Sequence, residues 1–319
     1  MHEKTQFLIL RVVRAESALP MPSNALASLY ITLMCLIWGS TWFVIRVGLR
    51  DLPPFQSAAV RFAIAAAVMT LVAHFARKRE GGTAPPFWLS LVLGTLNFAA
   101  SYAFVYWSET RIPSALASVL WSVYPLLMAA SSHMFLAHEK LVPRQWLGFV
   151  LGFAGVALLF ATDLPAISKD ALVGGCVLLG SPLVATIGTT LVKKHGGATS
   201  SLLLNRNGMW IGALLLALLA FSCERDTPAH WTPQAIATVV YLAVVGTAFT
   251  FGLYFWLLRH TSAYRMSLIS YATPPVAILL GAFAGNEPIT RWTLSGMAAI
   301  LGGVLLVMGW KRSPSTKSS

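Results

Sequence analysis

The sequence predicts an all-α integral membrane protein of ten transmembrane helices, arranged as two inverted five-helix repeats. Three observations predict it. Apolar runs recur along the chain at about the ~20 residues a helix needs to cross the hydrocarbon of a bilayer. The chain resembles itself at a shift of about 148 residues. Its Lys and Arg divide unequally between alternate connections, as membrane topology requires. Composition agrees: hydrophobic residues make up 56% of the chain and charged residues 11%, against about 25% charged in soluble domains. A net charge of +12 would suit a nucleic-acid partner if the basic residues shared a polar face. They sit instead in short clusters between apolar runs, so no nucleic acid is expected. Cys35, Cys176 and Cys223 are odd in number and widely spaced, which gives neither a disulfide framework nor metal spacing. They read as small core hydrophobes.

Residues 1–28 read as a polar N-terminal tail. The apolar run at residues 7–10 is shorter than the ~7–15 residues of a signal-peptide core, and Met21 is an alternative start. The apolar runs follow at about 29–49, 55–76, 87–107, 113–136 and 144–162, then 171–192, 200–221, 233–258, 262–284 and 292–310. Backbone groups in lipid must bond within their own segment, so these are helices rather than open strands. The connections carry turn chemistry, as at Pro53-Pro54, Gly81-Gly82, Gly196-Gly197 and Pro228. None is long enough to fold as a soluble domain. Residues 311–319 form a second polar tail.

The internal likeness divides the chain into repeat 1 (29–162) and repeat 2 (171–310). A shift of 148 lays Glu139 on Glu287, Gly148 on Gly296 and Gly155 on Gly303. A shift of 149 lays Pro125 on Pro274, and one of 152 lays Gly94-Thr95 on Gly246-Thr247 and Tyr102 on Tyr254. An even number of spans puts both tails on one side. That side then holds fifteen Lys and Arg against six on the other, with Arg61 and Arg206 inside helices. The bias predicts cytoplasmic termini in a cell (inner) membrane. Five helices per repeat make the second enter the membrane from the opposite face, and inverted repeats are the architecture of solute carriers that bind near the midplane.

The first apolar run carries Trp38-Gly39-Ser40-Thr41-Trp42-Phe43, and the second carries Arg61-Phe62 among alanines. The fourth and ninth carry a proline followed about one helix later by Glu139 or Glu287, with glycine-rich runs behind. In combination these features resemble the drug/metabolite transporter superfamily, EamA type, over about residues 29–310. The spacing Pro125 to Glu139 is one residue longer than Pro274 to Glu287, and Gly180-Ser181-Pro182 stands where the first repeat has Gly39-Ser40-Thr41. The resemblance implies ten helices, cytoplasmic termini, a central cavity and export of amino acids or other small metabolites.

The individual residues support narrower expectations. Glu139 and Glu287 lie just before helices, where the dipole favours a carboxylate, so they read as helix-start devices and marks of the family. Pro125, Pro182, Pro274 and Pro275 fall inside predicted helices and should kink them, since proline removes a backbone donor. Such kinks are tolerated where the freed groups face protein or a water-filled cavity. Gly148, Gly152 and Gly155 have small-residue spacing for close helix packing, within one chain or in a homodimer. An arginine in a span is costly facing lipid, so Arg61 and Arg206 are read as cavity cations or as snorkelling side chains, and Arg46 as snorkelling. Trp42, Asn97, Tyr102, Trp121, Tyr124, Asn207, Tyr254 and Tyr271 are candidates for the polar and aromatic contacts of a solute pocket. No acidic residue falls inside a predicted span, which argues against a carboxylate proton switch. His133, His138 and Glu139 miss the spacing of a zinc motif. No phosphate loop, nucleophile elbow or CxxC is present; no catalytic residue, metal or cofactor is expected. The reading is a secondary transporter with a small-molecule solute and membrane lipid as partners. The alternative is a membrane-embedded enzyme acting on a lipid-linked or amphipathic substrate.

Overall fold

The computed structural model describes residues 24–137, 139–163, 168–285 and 291–308. Repeat 1 supplies α1 (Asn24–Gly48), α2 (Pro54–Glu80), α3 (Phe87–Glu109), α4 (Ser114–Phe135) and α5 (Pro143–Asp163). Repeat 2 supplies α6 (Lys169–His195), α7 (Ser201–Cys223), α8 (Pro233–His260), α9 (263–285) and α10 (Arg291–Met308). Among the described residues eight of these are long and apolar enough to cross a membrane. Large apolar side chains such as Leu71, Phe75, Leu147, Leu214, Phe221, Phe283 and Leu305 are exposed, as a lipid-solvated surface requires.

Helix starts follow local chemistry. Pro54 and Pro233 occupy the first helical position, where a missing N–H costs nothing. Ser168, Ser200 and Thr232 cap α6, α7 and α8, their hydroxyls accepting from the backbone three residues on. Gly82 and Gly197 take positive φ in the α2–α3 and α6–α7 turns. These two turns are joined through an isolated parallel bridge between Thr83 and Thr199.

The two repeats are interrupted in matching places. α3 and α8 each contain a π-helical stretch, Leu93–Ala100 and Val244–Phe249. α4 breaks at Ser122-Val123 and α9 at Leu268. The prolines therefore act differently from the expected mid-helix kinks. Pro125 sits in the first turn of the second segment of α4, and Pro182 in the first turn after a break at Leu179 in α6. Only Pro274 and Pro275, among the four, lie inside a continuous helix. The Ser270 carbonyl that Pro274 leaves without its i+4 donor accepts from Thr273 Oγ1 (3.1 Å) and from Ser122 Oγ (3.2 Å). Ser122 is the position related to Ser270 by the 148-residue shift, so this bond ties the two repeats near their pseudo-twofold.

α5 and α10 cross by backbone approach. A Cβ on Gly148 would meet Gly303 O at 2.7 Å, and one on Gly155 would meet Gly296 O at 2.7 Å. Since Gly148 is the counterpart of Gly296 and Gly155 of Gly303, each glycine meets the other's partner, which is the signature of a twofold. These glycines are thus used within the chain.

Carboxylates latch the repeats to each other. Glu80, the last residue of α2, accepts from Ser201 N (2.8 Å) and from the Ser200 and Ser201 hydroxyls at the start of α7. Glu224, just after α7, accepts from Phe55 N and Gln56 N, both at 2.8 Å, at the start of α2. Burial pushes the Glu224 carboxyl above its ordinary range, against the pull of those two donors. Glu139 accepts from Ala263 N at 2.8 and 3.0 Å. It therefore serves the start of α9, far away in sequence, rather than α5, which follows it. Glu287 lies outside the described residues. The apolar runs had stopped short of these acids: Glu80 and Glu109 end α2 and α3 and are buried at 5% and 1% exposure. Arg46, expected to snorkel, turns inward and donates to Glu109 O (3.2 Å) and Ile112 O (2.6 Å) at the end of α3. Lys193 does the same for α8, donating to Leu258 O (2.6 Å) and Thr261 O (2.8 Å). Cys176 and Cys223 are exposed and Cys35 is half-buried, so they are not core residues as expected.

Glu80→Ala is expected to lower the melting temperature in detergent by several degrees. It removes a buried acceptor from several α7 donors, each worth about 1–3 kcal/mol if left unmet. Arg259→Ala should shift it far less. The Arg259–Glu80 pair spans a long 3.4 Å, its arginine is 19% exposed, and Glu80 keeps its Ser200 and Ser201 donors when the arginine is gone. Equal shifts for the two variants would show that the ion pair, not the cap, is what matters.

Candidate functional site

The helices enclose a central cavity of about 90 Å³, as swept by the centre of a water molecule. Both repeats build its wall. α1 contributes Trp38, Thr41, Trp42 and Ile45, one stripe at helical spacing. α3 contributes Asn97, Ser101, Tyr102 and Val105; α4 contributes Trp121 and Tyr124. From repeat 2 come Ala185 and Thr189 of α6, Phe251, Tyr254 and Phe255 of α8, and Ser270 and Thr273 of α9. No charged side chain and no histidine or cysteine is among the described lining residues.

The wall is aromatic with a connected polar seam. Trp42 and Trp121 lie 6.3 Å apart, Trp121 and Tyr124 4.7 Å, and Trp38 sits 5.3 and 5.4 Å from Phe251 and Tyr254. Asn97 Nδ2 donates to Ala185 O (3.1 Å) and Thr189 Oγ1 (2.9 Å). Tyr124 OH donates to Thr189 Oγ1 (3.2 Å) and meets Tyr254 OH at 3.3 Å. Trp121 Nε1 donates to Ser181 Oγ (2.9 Å), which also meets Ser101 Oγ at 2.8 Å. These bonds run between the repeats and hold the ring planes in place. Trp38 Nε1 and Asn97 Oδ1 are buried with no hydrogen-bond partner among the described residues.

The structure brings together six of the ten residues expected at a pocket: Trp42, Asn97, Tyr102, Trp121, Tyr124 and Tyr254. Four stand elsewhere. Arg61 is behind the wall, 1% exposed. Its Nε donates to Thr247 Oγ1 (2.7 Å), its Nη1 to Tyr106 OH (3.2 Å) and its Nη2 to Gly246 O (3.5 Å). Thr247, in the π-helical stretch of α8, in turn donates to Leu242 O (2.7 Å), five residues back and just before that stretch. The guanidinium carbon lies 4.7 Å from the centre of the Tyr102 ring, which faces the cavity. Arg206 is half-buried on α7 and donates to the neighbouring Asn207 Oδ1 at 2.9 and 3.0 Å, while Asn207 Nδ2 reaches Ser90 Oγ at 3.4 Å. This pair lies against the start of α3, away from the cavity. Tyr271 is fully buried in the cluster around α5, α9 and α10, over Gly152. In the family motif, Trp38 lines the cavity, Gly39 admits Thr273 and Val276 of α9 at close range, and Ser40 bonds to Tyr241 OH at 2.6 Å. Sequence reasoning missed Thr41, Ser101, Thr189, Phe251 and Phe255. Spacing was the available signal: Phe251 and Phe255 lie on the face of Tyr254, and Ser101 one turn from Asn97.

A second cavity of about 120 Å³ lies where α6, α7 and α8 meet the α6–α7 turn. Phe255 is on both walls, and Lys193 and Arg259 add positive charge to the second.

The EamA-like transporter family matches residues 25–161 and 172–309, once per repeat. The chain is 27% identical over 274 residues to YoaV, an uncharacterised transporter of Bacillus subtilis (strain 168), covering 85% of this chain and 92% of that protein. It is 28% identical over 296 residues to YedA, an uncharacterised inner membrane transporter of Escherichia coli (strain K12), covering 89% of each. A solved crystal structure shares the fold with a TM-score of 0.71 at 21% identity, over 90% of this chain and 97% of the other. Paired five-helix units, a chamber walled by both, and matches to each unit lead to one conclusion: the chain belongs to the EamA-like transporter family and is a multi-pass membrane transporter.

Proposed function

We propose that this protein is a secondary transporter that exports small metabolites such as amino acids across the cell membrane by alternating access, with both termini in the cytoplasm. The cavity shared between the two repeats carries the proposal. Rocking one inverted repeat against the other opens such a chamber first to one side and then to the other. Its described lining offers aromatic faces, hydroxyls and one amide, the mixture found in small-molecule sites. Reconstituted into liposomes preloaded with unlabelled solute, the protein should drive counterflow of the labelled solute for at least one member of an amino-acid and metabolite panel, without any nucleotide. Trp121→Ala, which opens the aromatic wall and removes the Ser181 bond, should reduce that flux about tenfold or more at unchanged protein level. Panel-wide uptake equal to that of empty liposomes would reject the proposal.

A further inference from the structure

An aromatic box with no charge in its lining looks at first like a site for organic cations, which bind the faces of Trp and Tyr. The placement of Arg61 argues the other way. Its guanidinium carbon lies 4.7 Å from the centre of the Tyr102 ring, so that ring already carries one cation and attracts a second less. Arg61 is 1% exposed, and its donors go to Thr247, Tyr106 and Gly246, all neutral groups. Glu109 follows Tyr106 by one turn and lies within electrostatic reach, offsetting part of the charge from the end of α3. In a medium of low dielectric, a fixed charge one ring away from a cavity acts on whatever enters it. Trp38 Nε1, on the cavity wall, is a buried N–H with no partner among the described residues, and its ring packs on Phe251, itself 6.3 Å from the Tyr102 ring. Thr41, on the same wall, packs its methyl on Gly246, whose carbonyl Arg61 reaches. An N–H donor and a nearby positive charge suit a carboxylate or another electronegative group. The rings of Trp42, Trp121 and Tyr124, also on the wall, suit a flat apolar body.

We infer that Arg61 sets the charge preference of the cavity from behind Tyr102, favouring solutes with an anionic or electronegative end over organic cations without touching them. Arg61 is thus a specificity-determining residue outside the binding surface.

The inference rests on the central cavity being the solute site, and the two fail separately. A chain that drives counterflow yet shows one charge preference with and without Arg61 retains the site and loses this proposal. The test uses three probes of one shape: 3-phenylpropionate, 3-phenylpropionamide and 3-phenylpropan-1-amine, at pH 7. Their affinities for the purified protein in detergent are read by calorimetry or by the rise in melting temperature, which follows occupancy by mass action. Wild type should bind the acid at least tenfold more tightly than the amine, with the amide between them. Arg61→Gln should shrink the acid-to-amine ratio at least tenfold and change amide affinity by less than about threefold, a pattern that a general loss of packing would not produce. Arg61→Lys should keep most of the ratio. If Arg61→Gln does not fold, Tyr102→Ala is the second arm: with the ring gone, the acid-to-amide ratio should rise. An amine preference in wild type, an unchanged ratio in the variants, or equal or absent binding of all three probes overturns the proposal.

Discussion

Gly148→Val and Gly155→Val are each expected to prevent assembly of the folded protein. At both positions the atom that a Cβ meets at 2.7 Å is a backbone carbonyl of α10, Gly303 O or Gly296 O. A side chain can rotate away from an intruding methyl; a helix backbone cannot do so without moving the helix. Overpacking of ordinary cores costs about 1–3 kcal/mol and sometimes more, and here the helices would have to separate along the crossing that joins the repeats. Against a total stability of about 5–15 kcal/mol, that loss should appear as aggregation or absence of a monodisperse peak in size-exclusion chromatography. Gly302→Ala, on the facing helix α10, is the control. Its Cβ would lie 3.6 Å from Leu151 Cδ2, an ordinary contact, and it should fold normally. Normal chromatograms and melting temperatures for Gly148→Val and Gly155→Val would mean that α5 and α10 are not packed backbone to backbone.

Gly188→Ala is expected to damage transport while sparing the fold. The new methyl on α6 would fall on Asn97 Oδ1 and lie 2.9 Å from Asn97 Cγ. Asn97 must swing away and give up its bonds to Ala185 O and Thr189 Oγ1. Thr189 also takes the Tyr124 hydroxyl, so the disturbance reaches the aromatic wall. Losing a buried amide's partners is worth about 1–3 kcal/mol, or roughly fivefold to 150-fold in an equilibrium constant. Counterflow in liposomes should fall by that order. The double variant Gly188→Ala/Asn97→Ala removes the collision, so its melting temperature should recover above that of Gly188→Ala alone, a non-additivity expected only of touching residues. A single variant with full activity would place Asn97 outside the solute path.

The ten helices, eight of them among the described residues long and apolar enough to cross a membrane, were legible in the sequence because each depends on hydrophobic length and on local punctuation. Pro54 and Pro233 start their helices by their fixed φ and missing N–H, and Ser168, Ser200 and Thr232 by cap bonds made within one turn. The repeat was legible because Glu139, Gly148 and Gly155 recur at one shift. Other assignments turned on partners distant in sequence. Glu139 was read against the helix that follows it, and its bonds go to Ala263, at the start of a helix 124 positions away. Arg46 was read as snorkelling because an isolated helix offers it only lipid or water, whereas the folded chain offers the Glu109 and Ile112 carbonyls. Pro125 was read as a kink because the break before it depends on how the halves of α4 pack on their neighbours.

The pocket divides along the same line. Residue type alone picks out Trp42, Tyr102, Trp121, Tyr124 and Tyr254 as candidates, since large amphipathic rings inside spans belong at cavities or interfaces. Type cannot separate Tyr254, on the cavity wall, from Tyr271, sealed against Gly152. Nor can it show that Arg61 stands one ring behind the surface while Arg206 leans on its own neighbour. Hydropathy and helix termination act over a few residues and are written into the chain; the direction each helix face points is settled only when the two repeats close around their shared axis, and the chamber exists only there.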